Sequence, residues 1–164
     1  MALTFDSPSE QQRWYSVDDG VMGGVSKSGF CVTDGVGRFQ GEVSLENGGG
    51  FASVRRAPNG FEPTLADAQG IELTVRGDGR TYQLRLKSTS LGNASAYRVK
   101  FTPSQDAWET LYFSWDAFEA VRRGTLLSDA PAVTPSEIHQ LGFLIADRTA
   151  GPFCLRLKRI AAVR

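Results

Sequence analysis

The strongest constraint on this chain is the alternation of apolar and polar residues in short runs broken by glycine. In Ile71-Glu72-Leu73-Thr74-Val75-Arg76 and again in Tyr82-Gln83-Leu84-Arg85-Leu86-Lys87, every second side chain is apolar. That is the period of a strand with one face buried. Gly77-Asp78-Gly79-Arg80 separates the two runs. Glycine supplies positive φ at no steric cost in such a turn, so the pair is expected to form a β-hairpin. Tyr97, Val99 and Phe101 repeat the pattern, and Pro103 ends that run. Between Trp108 and Trp115, Leu111, Phe113 and Trp115 take one face and Trp108, Thr110 and Tyr112 the other. The apolar run Leu141 to Ala146 fits a strand buried on both faces. Further strands are expected over 12–17, 37–45, 51–56 and 153–163. Helix is confined to short turns within 115–123 and at 135–140, with Pro135 near an N-terminus. Many short strands with Gly-rich turns imply an all-β sandwich.

At 164 residues the chain is long enough to bury one core, and a single domain over 1–164 is expected. The 18 basic and 18 acidic residues cancel, so no net field draws the protein to nucleic acid or an anionic membrane. The opening MALTFDSPSE has no basic n-region and no long apolar stretch. No run reaches the roughly 20 apolar residues of a membrane helix. Cys31 and Cys154 form no CxxC pair and read as buried free thiols. These features together predict a soluble cytoplasmic protein, without membrane insertion and without a cofactor.

Asp18 to Phe30, DDGVMGGVSKSGF, looks at first like an active-site loop. A phosphate loop needs glycines where Val21 and Ser26 stand. A calcium loop needs oxygen ligands where Gly20 and Met22 stand. The Gly35 to Gly41 segment misses a dinucleotide fingerprint by one residue and lies in a strand context. His139 is the sole histidine and has no nucleophile motif beside it, so it reads as structural or superficial. Asp18 and Asp19 would point to opposite sides of an extended segment and make a poor glycosidase pair. The chain is therefore expected not to be an enzyme.

Five stretches carry a family resemblance: WYSVDDGVMGGVSKSGF from Trp14, GEVS from Gly41, GGGFASVR from Gly48, WETLYFSWDAFEAVRRG from Trp108 and GFLIADRTAGPFCLRLKRI from Gly142. Together, and in this order, they resemble the complex I intermediate-associated protein family (CIA30). The resemblance spans nearly the whole chain. It implies a galactose-binding-like jelly roll, a β-sandwich shared with carbohydrate-binding modules. It also implies a non-enzymatic assembly factor or chaperone-like domain, binding a respiratory-complex subunit or assembly intermediate of NADH:ubiquinone oxidoreductase. The alternative is a carbohydrate-binding module-like domain that takes a glycan or another small ligand.

Three surfaces are candidates for that partner. The first is the loop itself, with Trp14, Asp19, Met22, Gly23, Gly24 and Ser26: Gly23-Gly24 allows close backbone approach, and Met22 is an adaptable contact. The competing reading is a turn pinned by local hydrogen bonds from Asp19, Ser26 and Ser28. The second is an aromatic pair, Trp108 and Tyr112, which could stack on a sugar or anchor a protein. The third is a basic face formed by Arg76, Arg85, Lys87, Arg98 and Lys100, extended by Arg156 and Lys158 and suited to an acidic partner. Its competing reading is a solvated face of cross-strand pairs.

Overall fold

The computed structural model describes residues 2–164, with the side chains of Val21 and Met22 outside the described set. Among the described residues the chain forms β1 (Ala2–Thr4), β2 (Trp14–Ser16), β3 (Lys27–Thr33), β4 (Val36–Val43), β5 (Ala52–Arg56), β6 (Gly70–Arg76) and β7 (Tyr82–Ser88). There follow β8 (Ser95–Phe101), β9 (Glu109–Ser114), β10 (Glu119–Arg122), β11 (Thr125–Leu126), β12 (Ile138–Ile145) and β13 (Gly151–Val163). Short 3-10 turns, such as Pro8–Arg13 and Trp115–Ala117, supply the helical content.

One sheet has six strands: β3-β4-β13-β6-β9 in order, with β1 also pairing with β13. The other has seven, in the order β11-β10-β8-β7-β12-β5-β2. Neighbours throughout are antiparallel. The expected all-β, jelly-roll type of sandwich is the observed fold. The alternation explains how its two layers meet. Ile71, Leu73 and Val75 of β6 and Leu155 and Leu157 of β13 face Leu84 and Leu86 of β7, Tyr97 of β8 and Phe143 of β12 within one apolar cluster. Burying each such side chain stabilises the fold by about 1.5–3 kcal/mol before entropy is counted. Aromatic rings fill the layer between the sheets: Phe39 meets Phe153 edge-on at 4.9 Å, and Tyr82 contacts both.

The strand runs are where the alternation puts them, but the expected hairpin across Gly77 to Arg80 does not form. β6 pairs with β13 and β9, whereas β7 pairs with β8 and β12 in the other sheet. The turn is a corner that carries the chain across the sandwich. Its polar residues bond to the start of β13. The Asp78 carboxylate accepts from the Tyr82 hydroxyl at 2.9 Å and the Cys154 N–H at 2.8 Å. Arg80 donates twice to Asp147, at 2.9 and 2.7 Å, and to the carbonyls of Gly151 and Pro152. Two amphipathic strands joined by a short turn can bury their apolar faces side by side or face to face. Here competing strands occupy both edges of each run.

That crossing also divides the expected basic stripe. Arg85 and Lys87 on β7 and Arg98 and Lys100 on β8 share the outer face of the seven-stranded sheet. Arg76 is on β6, opposite Arg156 of β13, on the outside of the six-stranded sheet. Arg76 therefore does not belong to the face the others form, and Arg156 and Lys158 do not extend it. The shorter corrections are local. The strand expected over 12–17 shrinks to Trp14–Ser16 because Pro8–Arg13 coils as a 3-10 turn. The expected helical stretch 115–123 gives way to β10 after Ala117.

Candidate functional site

The Asp18 to Phe30 stretch follows β2 and runs into β3, and its two carboxylates are consumed largely by backbone amides. Asp19 is fully buried. One of its oxygens accepts from the Ser26 N–H at 2.9 Å, the other from Gly50 at 2.7 Å and Phe51 at 3.2 Å. Burial pushes its carboxyl pKa up, but hydrogen bonds from Ser26, Gly50 and Phe51 outweigh this and hold it below the ordinary aspartate value. Asp18 accepts from the Ser28 N–H and hydroxyl at 2.9 and 2.6 Å, and from the Ser53 N–H at 3.0 Å. The Ser26 hydroxyl donates to the Ser44 carbonyl and accepts from the Ser44 N–H.

The loop's glycines follow from this cage. A Cβ on Gly24 would lie 2.5 Å from the Asp19 carboxyl carbon, and one on Gly49 would lie 2.6 Å from a carboxylate oxygen. Gly23 plays a different part: its φ of 88° closes the 3-10 turn Asp19–Met22, and its Cβ position faces open space. Close backbone approach therefore belongs to Gly24 and positive φ to Gly23. The expectation for the Met22 side chain falls outside the described residues.

Trp14, expected at a partner surface, is 7% exposed. Its indole stacks on Phe30 at 4.1 Å and donates to Glu10 at 2.9 Å, and Glu10 in turn pairs with buried Arg56 at 2.7 Å. The aromatic pair is parted in character. Tyr112 is 49% exposed, with its hydroxyl on the Gln69 carbonyl. The Lys158 ammonium sits 4.3 Å above the Trp108 ring, a cation–π contact that covers one of its faces. His139 is exposed at the irregular start of β12.

On the seven-stranded sheet the register lines up Tyr15, Arg55, Gly142, Arg85, Arg98 and Glu119 across six adjacent strands. Gly142 leaves bare backbone between Arg55 and Arg85, and the gap is structural: a Cβ there would meet the Val54 carbonyl at 2.4 Å. The resulting depression, about 100 Å³, is lined by Arg55, Arg85, Lys87, Asn93 and Gln140. Arg98 is offset by Glu119 at 3.0 Å. Among the described residues Arg55, Arg85 and Lys87 make no ion pair. Arg85 donates to Gln83, and Lys87 to the Ser95 carbonyl, both neutral acceptors. Burial, then Arg98 and Arg55, pushes the Arg85 pKa down to about 10; burial, then Arg55 and Arg85, also lowers Lys87. Arg85 stays charged at neutral pH.

Arg55, Asn93 and Gln140 are absent from the sequence-derived candidates. The alternation of 51–56 does place Arg55 on the polar face of its strand. Nothing local shows that β5 and β7 flank β12 from either side. A larger groove, about 490 Å³, lies at Tyr97, Trp115, Phe118, Leu127 and Val133, and apart from Tyr97 it is lined by the stretch 115–133.

The family described as Complex I intermediate-associated protein 30 (CIA30) matches residues 3–157. The Neurospora crassa protein named "Complex I intermediate-associated protein 30, mitochondrial" is 25% identical over 140 residues, covering 76% of this chain and 50% of that protein. This chain thus spans about half the length of that relative. Among solved structures, the family 11 carbohydrate-binding module of Clostridium thermocellum, in complex with a β-1,3-1,4-mixed-linked tetrasaccharide, superposes with a TM-score of 0.69 at 14% identity, covering 99% of this chain and 96% of that one. The family 30 module of a cellulosomal cellulase from the same organism gives 0.60 at 10% identity, covering 99% and 98%. At such identities the likeness shows the fold alone. The cytoplasmic expectation is overturned: the fungal relative is mitochondrial by name. That expectation rested on the N-terminal residues, the lack of a membrane-length apolar run and the spacing of two cysteines, and none of these carries a compartment address. Among the described residues no helix is long and apolar enough to cross a membrane.

Proposed function

This chain belongs to the Complex I intermediate-associated protein 30 family, and from that premise we propose that it is a non-enzymatic assembly factor. It acts as one unit over 1–164, a chaperone-like domain that binds a respiratory-complex subunit or assembly intermediate of NADH:ubiquinone oxidoreductase. The observation that carries this reading is the family match over residues 3–157, which takes in nearly the whole sandwich. The fate of the fingerprint loop supports it. Asp18, Asp19, Ser26 and Ser28 all spend their polar atoms on this chain's own loops and strands, which suits a scaffold that recognises a surface better than one that breaks bonds.

Affinity purification of the tagged chain from its native cell, with mass spectrometry of co-purifying proteins, tests the reading. A defined subunit of the complex should co-purify, and deletion of the gene should lower the assembled complex. Normal amounts of every respiratory complex in the deletion strain would sink it. A glycan-binding role is the second reading, favoured by half-exposed Tyr15 beside Gln140, whose amide donates to the tyrosine hydroxyl at 2.9 Å. Tyr15 and Tyr112 lie on opposite sheets, however, so they form no two-ring platform of the kind a sugar chain stacks on. Fluorescence titration with mixed-linkage glucan oligosaccharides separates the readings.

A further inference from the structure

The depression around Gly142 is a place where this protein holds cations without holding their counter-ions. Arg85 and Arg98 are direct cross-strand partners, an arrangement that destabilises a sheet when both carry the same charge. Arg55 stands two strand spacings from Arg85, roughly 10 Å, with Gly142 between them. Glu119 answers Arg98 only. Arg56 pairs with Glu10 and Arg80 with Asp147, whereas on the six-stranded sheet Arg38, Arg156 and Arg76 form a second cross-strand row with no ion pair among the described residues. Arg55, Arg85 and Lys87 are thus an uncompensated cluster in a chain whose formal charges cancel, and they differ from that second row in framing a depression over bare backbone.

We propose that this face is a receptor for a carboxylate, presented by an acidic segment of a protein partner and received between Arg55 and Arg85 over the bare backbone of Gly142. The identity of the partner as a protein rests on the assembly reading above; the carboxylate chemistry rests on the site. Three features fit that ligand. Guanidinium groups recognise planar carboxylates through paired N–H donors, and do so most strongly where water is partly excluded. The depression, about 100 Å³, suits one small group, whereas pockets for drug-sized ligands run to roughly 300–1,000 Å³. The rim is held in place beforehand. Gln140 donates to the Tyr15 hydroxyl and to the Arg56 carbonyl at 3.1 Å, and Lys87 is tied to the Asn93 and Ser95 carbonyls. Arg85, which donates to Gln83 at 2.9 Å, is likewise oriented beforehand, and a donor already ordered loses little freedom on binding. A bound carboxylate would also relieve the repulsion among Arg55, Arg85 and Arg98, so ligand and fold should stabilise each other.

The test is a titration of the ¹⁵N-labelled full chain with a hexaglutamate peptide at constant ionic strength, read by amide shifts and by thermal melting. Inorganic phosphate and polygalacturonate form separate arms. The peptide should move the amides of Arg55, Arg85 and Gly142 and raise the melting temperature. Arg85→Gln should weaken binding about tenfold, the loss of one good charge-assisted contact. Arg85→Lys, which keeps the charge and loses the planar fork, should fall between. Arg76→Gln makes the same change in net charge on the other sheet and should weaken binding less than about twofold. If Arg85→Gln does not fold, Arg55→Gln gives the same reading. Absence of shifts with peptide overturns the proposal, as does equal weakening by Arg76→Gln and Arg85→Gln. Tighter binding of phosphate or polygalacturonate than of the peptide overturns the peptide assignment. The two readings fail separately. Peptide binding in a protein whose deletion leaves respiratory complexes normal removes the assembly role and keeps the receptor. Full rescue of a deficient deletion strain by Arg85→Gln, with no peptide bound, does the reverse.

Discussion

Asp18 and Asp19 in the loop before β3, and Arg55 and Arg85 on the face of the seven-stranded sheet, are two charge clusters of similar size handled in opposite ways. Around the aspartates, amides of Ser26, Ser28, Gly50, Phe51 and Ser53 converge until every carboxylate oxygen is engaged. Around the arginines only Arg98 finds an acid, and Arg55 and Arg85 are kept apart by a glycine that has no room for a side chain. A buried charge whose partners are all internal stabilises one backbone path and has nothing left to offer another molecule. A half-buried charge held beside like charges, with only neutral hydrogen-bond acceptors, weakens the fold slightly and keeps its strongest interaction available. Of these two clusters, the acids build the fold, and the bases are the ones the proposed receptor uses.

The largest expected effect breaks the first half of that contrast. Asp19→Ala removes the acceptor for one buried and two half-buried N–H groups and should destabilise the fold by about 3 kcal/mol or more. A chemical-denaturation loss below about 1 kcal/mol would mean that the cage contributes little. Next comes the glycine pair. Gly24→Ala drives a methyl group to 2.5 Å from the Asp19 carboxyl and should cost about 2 kcal/mol. Gly23→Ala meets open space and only the positive-φ penalty, about 1 kcal/mol. The reverse order would show that the turn, and not the carboxylate, governs the loop.

The cage should also appear in the pH dependence. Because Asp19 is held below its ordinary pKa of about 3.9, its contribution is complete above that value and is lost as pH falls through the lower folded-state pKa. Denaturation midpoints measured downward from pH 5 should decline, and Asp19→Asn should flatten that decline. The smallest effect has the opposite sign. Arg85→Gln relieves cross-strand repulsion and should stabilise the free protein by about 0.5 kcal/mol. A loss of stability there would place Arg85 among the structural charges and erase the contrast with Asp19.

Much of this architecture is legible from alternation alone. The runs at 71–76, 82–87 and 97–101 and the apolar stretch from Leu141 all became strands. Polar alternation correctly placed Arg85, Lys87, Arg98 and Lys100 on one face. What misled was adjacency. Gly77 to Arg80 has the composition of a hairpin turn, yet its Asp78 and Arg80 found partners beside β13, more than 65 residues downstream in sequence. Trp14 carries the large, amphipathic side chain of an interface residue, but its indole N–H is met inside the fold by Glu10. Arg55 went unremarked because its significance depends on Gly142 and Arg85, which only strand pairing brings beside it.

The sequence by itself determined that this chain is a two-layer β protein, which side of each major strand faces the core, and, through its WYSVDDGVMGGVSKSGF fingerprint, the family to which it belongs. Those are properties of side-chain period and local composition, and they survive whatever the strands do next. Only the tertiary structure decided which strand lies beside which, that Asp19 is caged by amides 31 and 32 residues away, and that Arg55 and Arg85 face each other across a bare glycine. The physical reason is that amphipathic strands offer nearly identical edges. Pairing is settled by competition among all of them at once, and the fate of a charge depends on which distant backbone that competition brings within reach.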